Sequence, residues 1–330
     1  MVEKIFRRSV MAATLVSCAV MSAAAAHAET YPAKPITIVV GYPAGGSVDL
    51  TARVVGEQLA ERLGQSVVIE NQGGAGGTIG AQRVVRAPAD GYTLLLGSTN
   101  EMVIAGMIND AVRYDGATDF THVGMIAAQP LLYTASKASG VKSAAEYVQK
   151  LKAGKPGDFN FGSSGIGTSL HLAGEMINES TGTQAQHVPY RGVAPLVTDL
   201  VSGQLNFGVF VMSSGLPHVK AGTVVPLGTT EKKRSSAAPD IPALAETPGF
   251  EDVDINVWFG LYGPAGMPEA VVTRLRTALG EALKSDVLRE KLAASGASLY
   301  GPEVDPVQFY ASEKDKFKRL VDLAGIGRSN

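Results

Sequence analysis

The chain has 330 residues, 45% of them hydrophobic, with 29 basic and 31 acidic side chains and a formal net charge of −2. Near-neutrality without a basic stripe removes the electrostatic footing for nucleic-acid binding, and beyond the N-terminal leader no apolar run approaches the roughly 20 residues of a membrane span. A single cysteine, Cys18, excludes a disulfide scaffold, so the fold must rest on core burial, and a chain of this length usually divides into two lobes.

The first segment reads as an address. Lys4, Arg7 and Arg8 precede an apolar, alanine-rich run over residues 10–26, and Ala26-His27-Ala28 forms a small-x-small cleavage site. Cleavage after Ala28 is expected, giving a periplasmic protein. Leu15-Val16-Ser17-Cys18 resembles a lipoprotein box and is the minor alternative, set aside because the apolar run continues past Cys18.

After the leader, short β-branched runs alternate with amphipathic helical patterns. Residues 36–40 read as a strand, and Val48, Ala52, Val55, Leu59 and Leu63 recur at helical spacing. Strands follow at 67–69, 93–96 and 123–127, and residues 131–134 are expected to carry the chain into a second lobe. There the pattern gives a helix on Ala144, Tyr147, Val148 and Leu151, a strand at 158–161, and a helix with Leu170, Ala173 and Ile177 on one face. A strand around His187-Val188 leads to a helix bearing Val193, Leu196, Val197, Leu200 and Val201, and residues 206–211 and 224–228 are further strands. Residues 256–262 read as the return crossing, with Trp258 in the core. Two helices finish the chain, one on Val272, Leu275, Leu279 and Leu283, the other on Phe317, Leu320, Val321 and Ala324. Such alternation predicts an α/β fold with parallel sheets covered on both faces. The expected division is a signal peptide at 1–28, a first lobe of 29–130 plus 254–330, and a second lobe of 131–253, joined by crossing strands that act as hinges.

Three glycine-rich loops fall at strand-to-helix junctions, over residues 41–49, 70–80 and 161–169. Glycine lets backbone approach a ligand, and a helix start directly afterwards offers unpaired N–H groups and a positive dipole end to an anion. Open α/β sheets bind ligands beyond the carboxyl ends of their strands, where such loops lie. Since the first loop belongs to one lobe and the third to the other, a small carboxylate could be gripped from both sides. Charge-assisted hydrogen bonds of roughly 1.5–3 kcal/mol each, four to six in number, would reach micromolar affinity without a metal or an arginine clamp. A lone glycine-rich turn is more often a tight connection, and only the recurrence at equivalent junctions favours a site.

Other chemistries lack their patterns. The second loop cannot carry G-x-G-x-x-G because Ile79 falls where the last glycine belongs, and no Walker sequence or G-x-S-x-G elbow occurs. His122, His171, His187 and His218 are scattered, with no metal-ligand spacing. No cofactor and no catalytic residue is therefore expected, and His171 reads as a packing or supporting histidine. Tyr42 could stack on a ligand or sit in the scaffold. Asp49, in the first turn of its helix, should orient the first loop rather than touch an acid group, which it would repel. Arg191 opens another helix, where an exposed position is the commoner case.

These loops resemble those of the Bug family, the extracytoplasmic receptors of tripartite tricarboxylate transporters. The resemblance rests on Ile38-Val39-Val40 with Gly45-Gly46 and Asp49; on Glu70-Asn71 with Gly74-Ala75-Gly76-Gly77 and Ile79-Gly80; and on Phe161-Gly162-Ser163-Ser164-Gly165 through His171-Leu172-Ala173-Gly174-Glu175. His187-Val188-Pro189-Tyr190-Arg191-Gly192, Pro239-Asp240-Ile241-Pro242 and Trp258-Phe259-Gly260-Leu261 extend it along the mature chain. It implies a two-lobed periplasmic binding protein, a type II-like Venus flytrap, that binds di- or tricarboxylates, acidic amino acids or aromatic acids. The implied partners are the membrane components of a transporter, or a sensor protein. In the family, first-loop and third-loop backbone groups hold a carboxylate, which transfers here to Ala44, Gly45, Gly46 and Ser47, and to Ser163, Gly167 and Thr168. With Tyr42, Asp49, Ser98, Ser164, Tyr190 and Phe210 these residues make the candidate ligand-binding set. The protein is expected to work as a monomer.

Three departures qualify the transfer. Ala44 stands directly before the double glycine, where the family has proline. Asn100-Glu101-Met102 lies in a region lacking the usual asparagine-proline step. Val211 follows Phe210, where many relatives carry aspartate. Without that acid an α-ammonium would lack a counter-charge, so a plain carboxylic or aromatic acid is the expected ligand. A receptor reporting to a sensor kinase and an exported α/β hydrolase are the alternatives.

Overall fold

Residues 36–40, Ile-Thr-Ile-Val-Val, are all β-branched and build a strand whose last three side chains are fully buried, the first sign of a sheet covered on both faces. The computed structural model describes residues 31–301 and 303–327. The leader, its cleavage site after Ala28 and Cys18 lie outside the described residues, and the compact body begins at Lys34.

The elements in chain order are β1 (Ile36–Val40), α1 (Ser47–Leu63), β2 (Val67–Asn71), α2 (Thr78–Val85), β3 (Thr93–Ser98), a π-helical turn (Asn100–Ile104), α3 (Ala105–Ile108) and β4 (Phe120–Ala135). The second lobe adds α4 (Ala144–Ala153), β5 (Asn160–Ser163), α5 (Ser169–Thr181), β6 (Gln186–Pro189), α6 (Val193–Ser202), β7 (Phe207–Val211), α7 (Met212–Lys220) and β8 (Val225–Thr229). The return brings β9 (Asn256–Pro264), α8 (Glu269–Ala282), α9 (Asp286–Ala294), β10 (Ser298–Leu299) and α10 (Pro306–Leu323). Strand order is β2-β1-β3-β9-β4-β7-β5-β6, with β8 and β10 also on β4. The result is a two-lobed α/β fold whose lobes share a crossing strand.

The sheets are mixed rather than parallel. Pairs made by βαβ crossovers are parallel: β1 with β2 and β3, and β5 with β6 and β7. The two crossings run in opposite directions between the lobes, so β9 pairs antiparallel with both β3 and β4. The two segments expected at 123–127 and 131–134 are one strand of 16 residues. Its inner residue Pro130, which has no N–H to give, sits where the strand changes partners: β9 accompanies it to Pro130, and β7 takes over from Leu131.

Four helices escaped the periodicity, the short α2 and α3 and the longer α7 and α9. In α7, Gly215 and Pro217 read as breakers, yet Met212 and Leu216 anchor it against Leu132, Ala238 and Ile241. In α9 only Leu288 and Leu292 are buried, too short a stripe to register as a period.

The crossing is laced by Thr230, which is fully buried. Its amide donates to Leu131 O at 2.9 Å, its Oγ1 accepts from Leu131 N at 2.9 Å and donates to Ile255 O, and Ile255 N returns to Thr230 O at 3.1 Å. Thr230→Val keeps the shape but strands a buried donor and a buried acceptor, and is expected to lower stability by about 1–3 kcal/mol. Urea unfolding should show an earlier midpoint at unchanged slope.

Candidate functional site

The glycines of the first two loops are explained first by packing. A Cβ on Gly41 would lie 2.6 Å from Gly77 O and 2.7 Å from Gly77 Cα, and one on Gly80 would lie 2.9 Å from Gly41 Cα. Backbone therefore rests on backbone between the two loops, a closeness that only residues without Cβ allow.

Asp49 organises the first loop. It is 2% exposed and accepts hydrogen bonds from Gly45 N at 2.8 Å, Asn71 Nδ2 at 2.9 Å and Arg53 Nε at 3.0 Å. Burial pushes its carboxyl upward, but the bonds from Arg53, Gly45 and Asn71 outweigh this and hold it below the usual aspartate range. The Gly45 amide is thereby committed to Asp49 and is not free for a ligand. At the next residues the opposite holds: α1 starts at Gly46 with no side-chain cap, so the Ser47 and Val48 amides begin the helix as open donors. Ala44 is exposed beside them.

The third loop is built differently, because its amides are used at home. Gly167 N donates to His171 Nδ1 at 3.0 Å, Thr168 N to Gly165 O at 3.4 Å, and the Thr168 hydroxyl caps α5 by accepting from His171 N. An open amide cradle at Gly167 and Thr168 is thus replaced by a self-capped helix start, because a histidine at i+4 reaches back over the turn. Accepting at Nδ1 places the proton of neutral His171 on Nε2, 3.5 Å from Glu175. Ser163 is fully buried; its Oγ lies 2.7 Å from His187 Nε2 and 3.0 Å from Gly165 O, and accepts from Gly165 N. The His171 and His187 rings stack at 3.6 Å. Burial, then the neighbouring His171, push His187 down to about 3, so it is neutral at ordinary pH. A serine–histidine pair therefore exists that no sequence spacing revealed: β5 and β6 are parallel neighbours, which brings Ser163 and His187 together across 24 positions. Buried and already bonded to Gly165, the hydroxyl secures the loop from behind.

Tyr42, Ser98, Asn100 and Glu101 form a cluster that sequence reasoning recognised only in pieces. Tyr42 Oη lies 2.7 Å from Glu101 Oε2, 2.8 Å from Gly76 O and 3.2 Å from Asn100 Nδ2. Ser98 reaches Glu101 through both Oγ and N, each at 2.6 Å. Asn100 then turns its Oδ1 across to the other lobe, where it accepts from Ser169 N, the first residue of α5, at 2.9 Å. The first-loop tyrosine and the third-loop helix are in this way joined through one carboxamide. Close by, Ile108 of α3 fills the space above Gly167, where a Cβ would meet Ile108 Cδ1 at 1.7 Å.

Two other expected contacts turn toward the core, one fully buried and one partly. Phe210 is fully buried with Leu196, Leu200, Leu205 and Val224. Tyr190 packs on the same cluster and donates its hydroxyl to Asp199 of α6 at 2.8 Å. Both look inward because β6 and β7 flank β5 and turn these rings toward α6. Ser164 is half-buried and Arg191 exposed. Among the described residues no cluster of His, Cys, Asp and Glu could hold a metal ion, and no helix is long and apolar enough to cross a membrane.

The family model of the tripartite tricarboxylate transporter family receptor matches residues 51–326. Protein BugT of Bordetella pertussis is 34% identical, with 92% of this chain and 93% of its own covered. A Rhodopseudomonas palustris protein solved with adipate superposes with a TM-score of 0.85 at 32% identity, covering 91% of this chain and 100% of that one. MatC of the same organism, solved with bound malate, gives a TM-score of 0.79 at 29% identity, covering 89% and 100%.

Proposed function

Because the chain belongs to the tripartite tricarboxylate transporter receptor family, a family of periplasmic solute-binding receptors rather than enzymes, we propose that it captures a small organic acid between its lobes and delivers it to the membrane components of such a transporter. The observation that carries this reading is the start of α1, a long helix with no side-chain cap, whose loop Asp49 holds open. The amides of Gly46, Ser47 and Val48 solvate one carboxylate there, with the helix dipole behind them. Ligands of this class are those seen with the two R. palustris relatives, adipate and malate.

The absence of an acid at Val211 favours a ligand without an ammonium group. Export follows cleavage after Ala28. The partner change of β4 between Pro130 and Leu131, and the bond between Thr230 and Ile255, support lobe limits of 29–130 plus 254–330 and 131–253. The receptor acts as a monomer, without cofactor or nucleic acid.

Ser47 offers a direct test, since it is the first helical residue and Gly46 before it is extended, with φ −78° and ψ 171°. Proline is accepted at such a position and removes only the N–H. In isothermal titration with adipate, malate, aspartate and terephthalate, a plain acid should bind. Ser47→Pro should then weaken it roughly 10- to 100-fold, the worth of one charge-assisted bond, with Ser47→Ala unchanged. Tight binding of aspartate alone, or indifference to Ser47→Pro, would overturn the reading.

A further inference from the structure

Three short oxygen–oxygen contacts meet around Tyr42 and Glu101, and each needs a proton between its atoms. They are Tyr42 Oη to Gly76 O at 2.8 Å, Tyr42 Oη to Glu101 Oε2 at 2.7 Å, and Ser98 Oγ to Glu101 Oε2 at 2.6 Å. The two hydroxyls bring two protons. An ionised Glu101 would draw the tyrosine proton to itself and leave two acceptors, Tyr42 Oη and Gly76 O, pressed together unscreened. A proton on Glu101 Oε2 completes the set: Glu101 donates to Tyr42, Tyr42 to Gly76 O, and Ser98 to Glu101, while Asn100 Nδ2 gives Tyr42 its second donor. With its Nδ2 so engaged, Asn100 must present Oδ1 to Ser169 N.

We propose that Glu101 is a positioning residue that works as a neutral acid, its proton fixing the Tyr42–Asn100–Ser169 link that holds the two lobes together over a bound ligand. The ligand part of this inference rests on the function proposed above; the protonation of Glu101 does not.

The surroundings agree with the geometry. Glu101 is fully buried, and among the described residues no cation pairs with its carboxyl. The titratable groups facing it are phenols: Tyr42 from the first loop, Tyr114, which donates to Glu101 O at 2.7 Å, and Tyr262 of β9; Tyr310 of α10 bonds the neighbouring Met102 O, and His122 packs on the Tyr262 and Tyr310 rings. Glu101, Tyr114 and Tyr310 also line a cavity whose wall carries the charged residues Asp115, Lys314, Asp315, Lys318 and Asp322, none of them paired with the Glu101 carboxyl. Burial raises the carboxyl to about 7 against the pull of its bonds from Ser98 and Tyr42. Being raised, it favours the clasped form at low pH, and that contribution fades as pH climbs through about 7.

The test is isothermal titration of the full chain with adipate from about pH 5 to about pH 8.5. Kd should be lowest at the acid end, rise with pH by up to about tenfold per unit, the slope of one proton, and level off above about 7, where the clasped carboxyl has itself ionised. Glu101→Gln, which imitates the neutral acid, should bind with the low-pH Kd throughout. A wild-type profile that is flat, or one that Glu101→Gln reproduces, overturns the proposal. A second readout needs no ligand. In carboxyl-labelled protein one glutamate should titrate near 7 and vanish in Glu101→Gln, whereas glutamates that all titrate at ordinary values overturn the inference. If no acid binds at any pH, the ligand reading fails and this titration still decides Glu101. If Glu101→Gln does not fold, Glu231→Gln makes the assignment: Glu231 is another glutamate raised by burial, and the signal must survive its loss.

Discussion

Replacing Phe210 with alanine is expected to lower stability by about 3–5 kcal/mol, the range for deleting a buried ring from a packed core. The ring is fully buried against Leu196, Leu200, Leu205 and Val224, and it also packs under Gly208 and Gly215. Nothing in that cluster can refill the space without moving α6 or α7. Urea unfolding should record the loss, while titration of the folded protein at low temperature should find ligand affinity within about twofold of wild type, because a core side chain changes both ligand states alike. The opposite pattern, lost affinity at unchanged stability, would return Phe210 to the ligand wall.

Asp49→Ala should act on both quantities. Gly45 N loses its acceptor, Asn71 Nδ2 keeps only Tyr42 O, and Arg53, half-exposed, turns to water. A stability loss of about 1–3 kcal/mol follows from the lost bonds. Affinity should fall roughly tenfold or more, since a released loop must be ordered again on binding at about 1–2 kcal/mol per residue. The pH dependence separates this from a packing defect. The folded Asp49 carboxyl lies below its unfolded value, so its contribution is present above about pH 4 and is lost as pH falls through the folded value. Wild type should therefore lose stability on acidification more steeply than Asp49→Ala. Parallel acid profiles in urea unfolding would show that the carboxylate is not the source.

The contrast between the first and third loops has a functional sense. One helix start is left open by an aspartate that props its loop from behind; the other is filled by its own threonine, a histidine and the carboxamide of Asn100. In the function proposed above, an acid group is received at α1, and the second lobe meets it through a neutral contact that carries no charge of its own to repel the ligand.

What lay in the sequence by itself was whatever depends on near neighbours. The amphipathic stripes of α1, α4, α5 and α6, the β-branched run of β1, the apolar run of β7, and the role of Asp49, which holds Gly45 four positions away, are all properties of near neighbours in the chain. The order of strands required the tertiary structure, because no local period records which edge a strand will find. That order decided that β4 runs unbroken past Pro130, that Ser163 meets His187, and that Tyr190 and Phe210 turn inward. It also decided that Asn100 and Glu101, 58 and 59 residues from Tyr42, gather around its hydroxyl. The raised titration of Glu101 is a property of that enclosure: the same side chain in water would ionise at ordinary glutamate values, and burial among phenols without a paired cation holds the proton up to about 7.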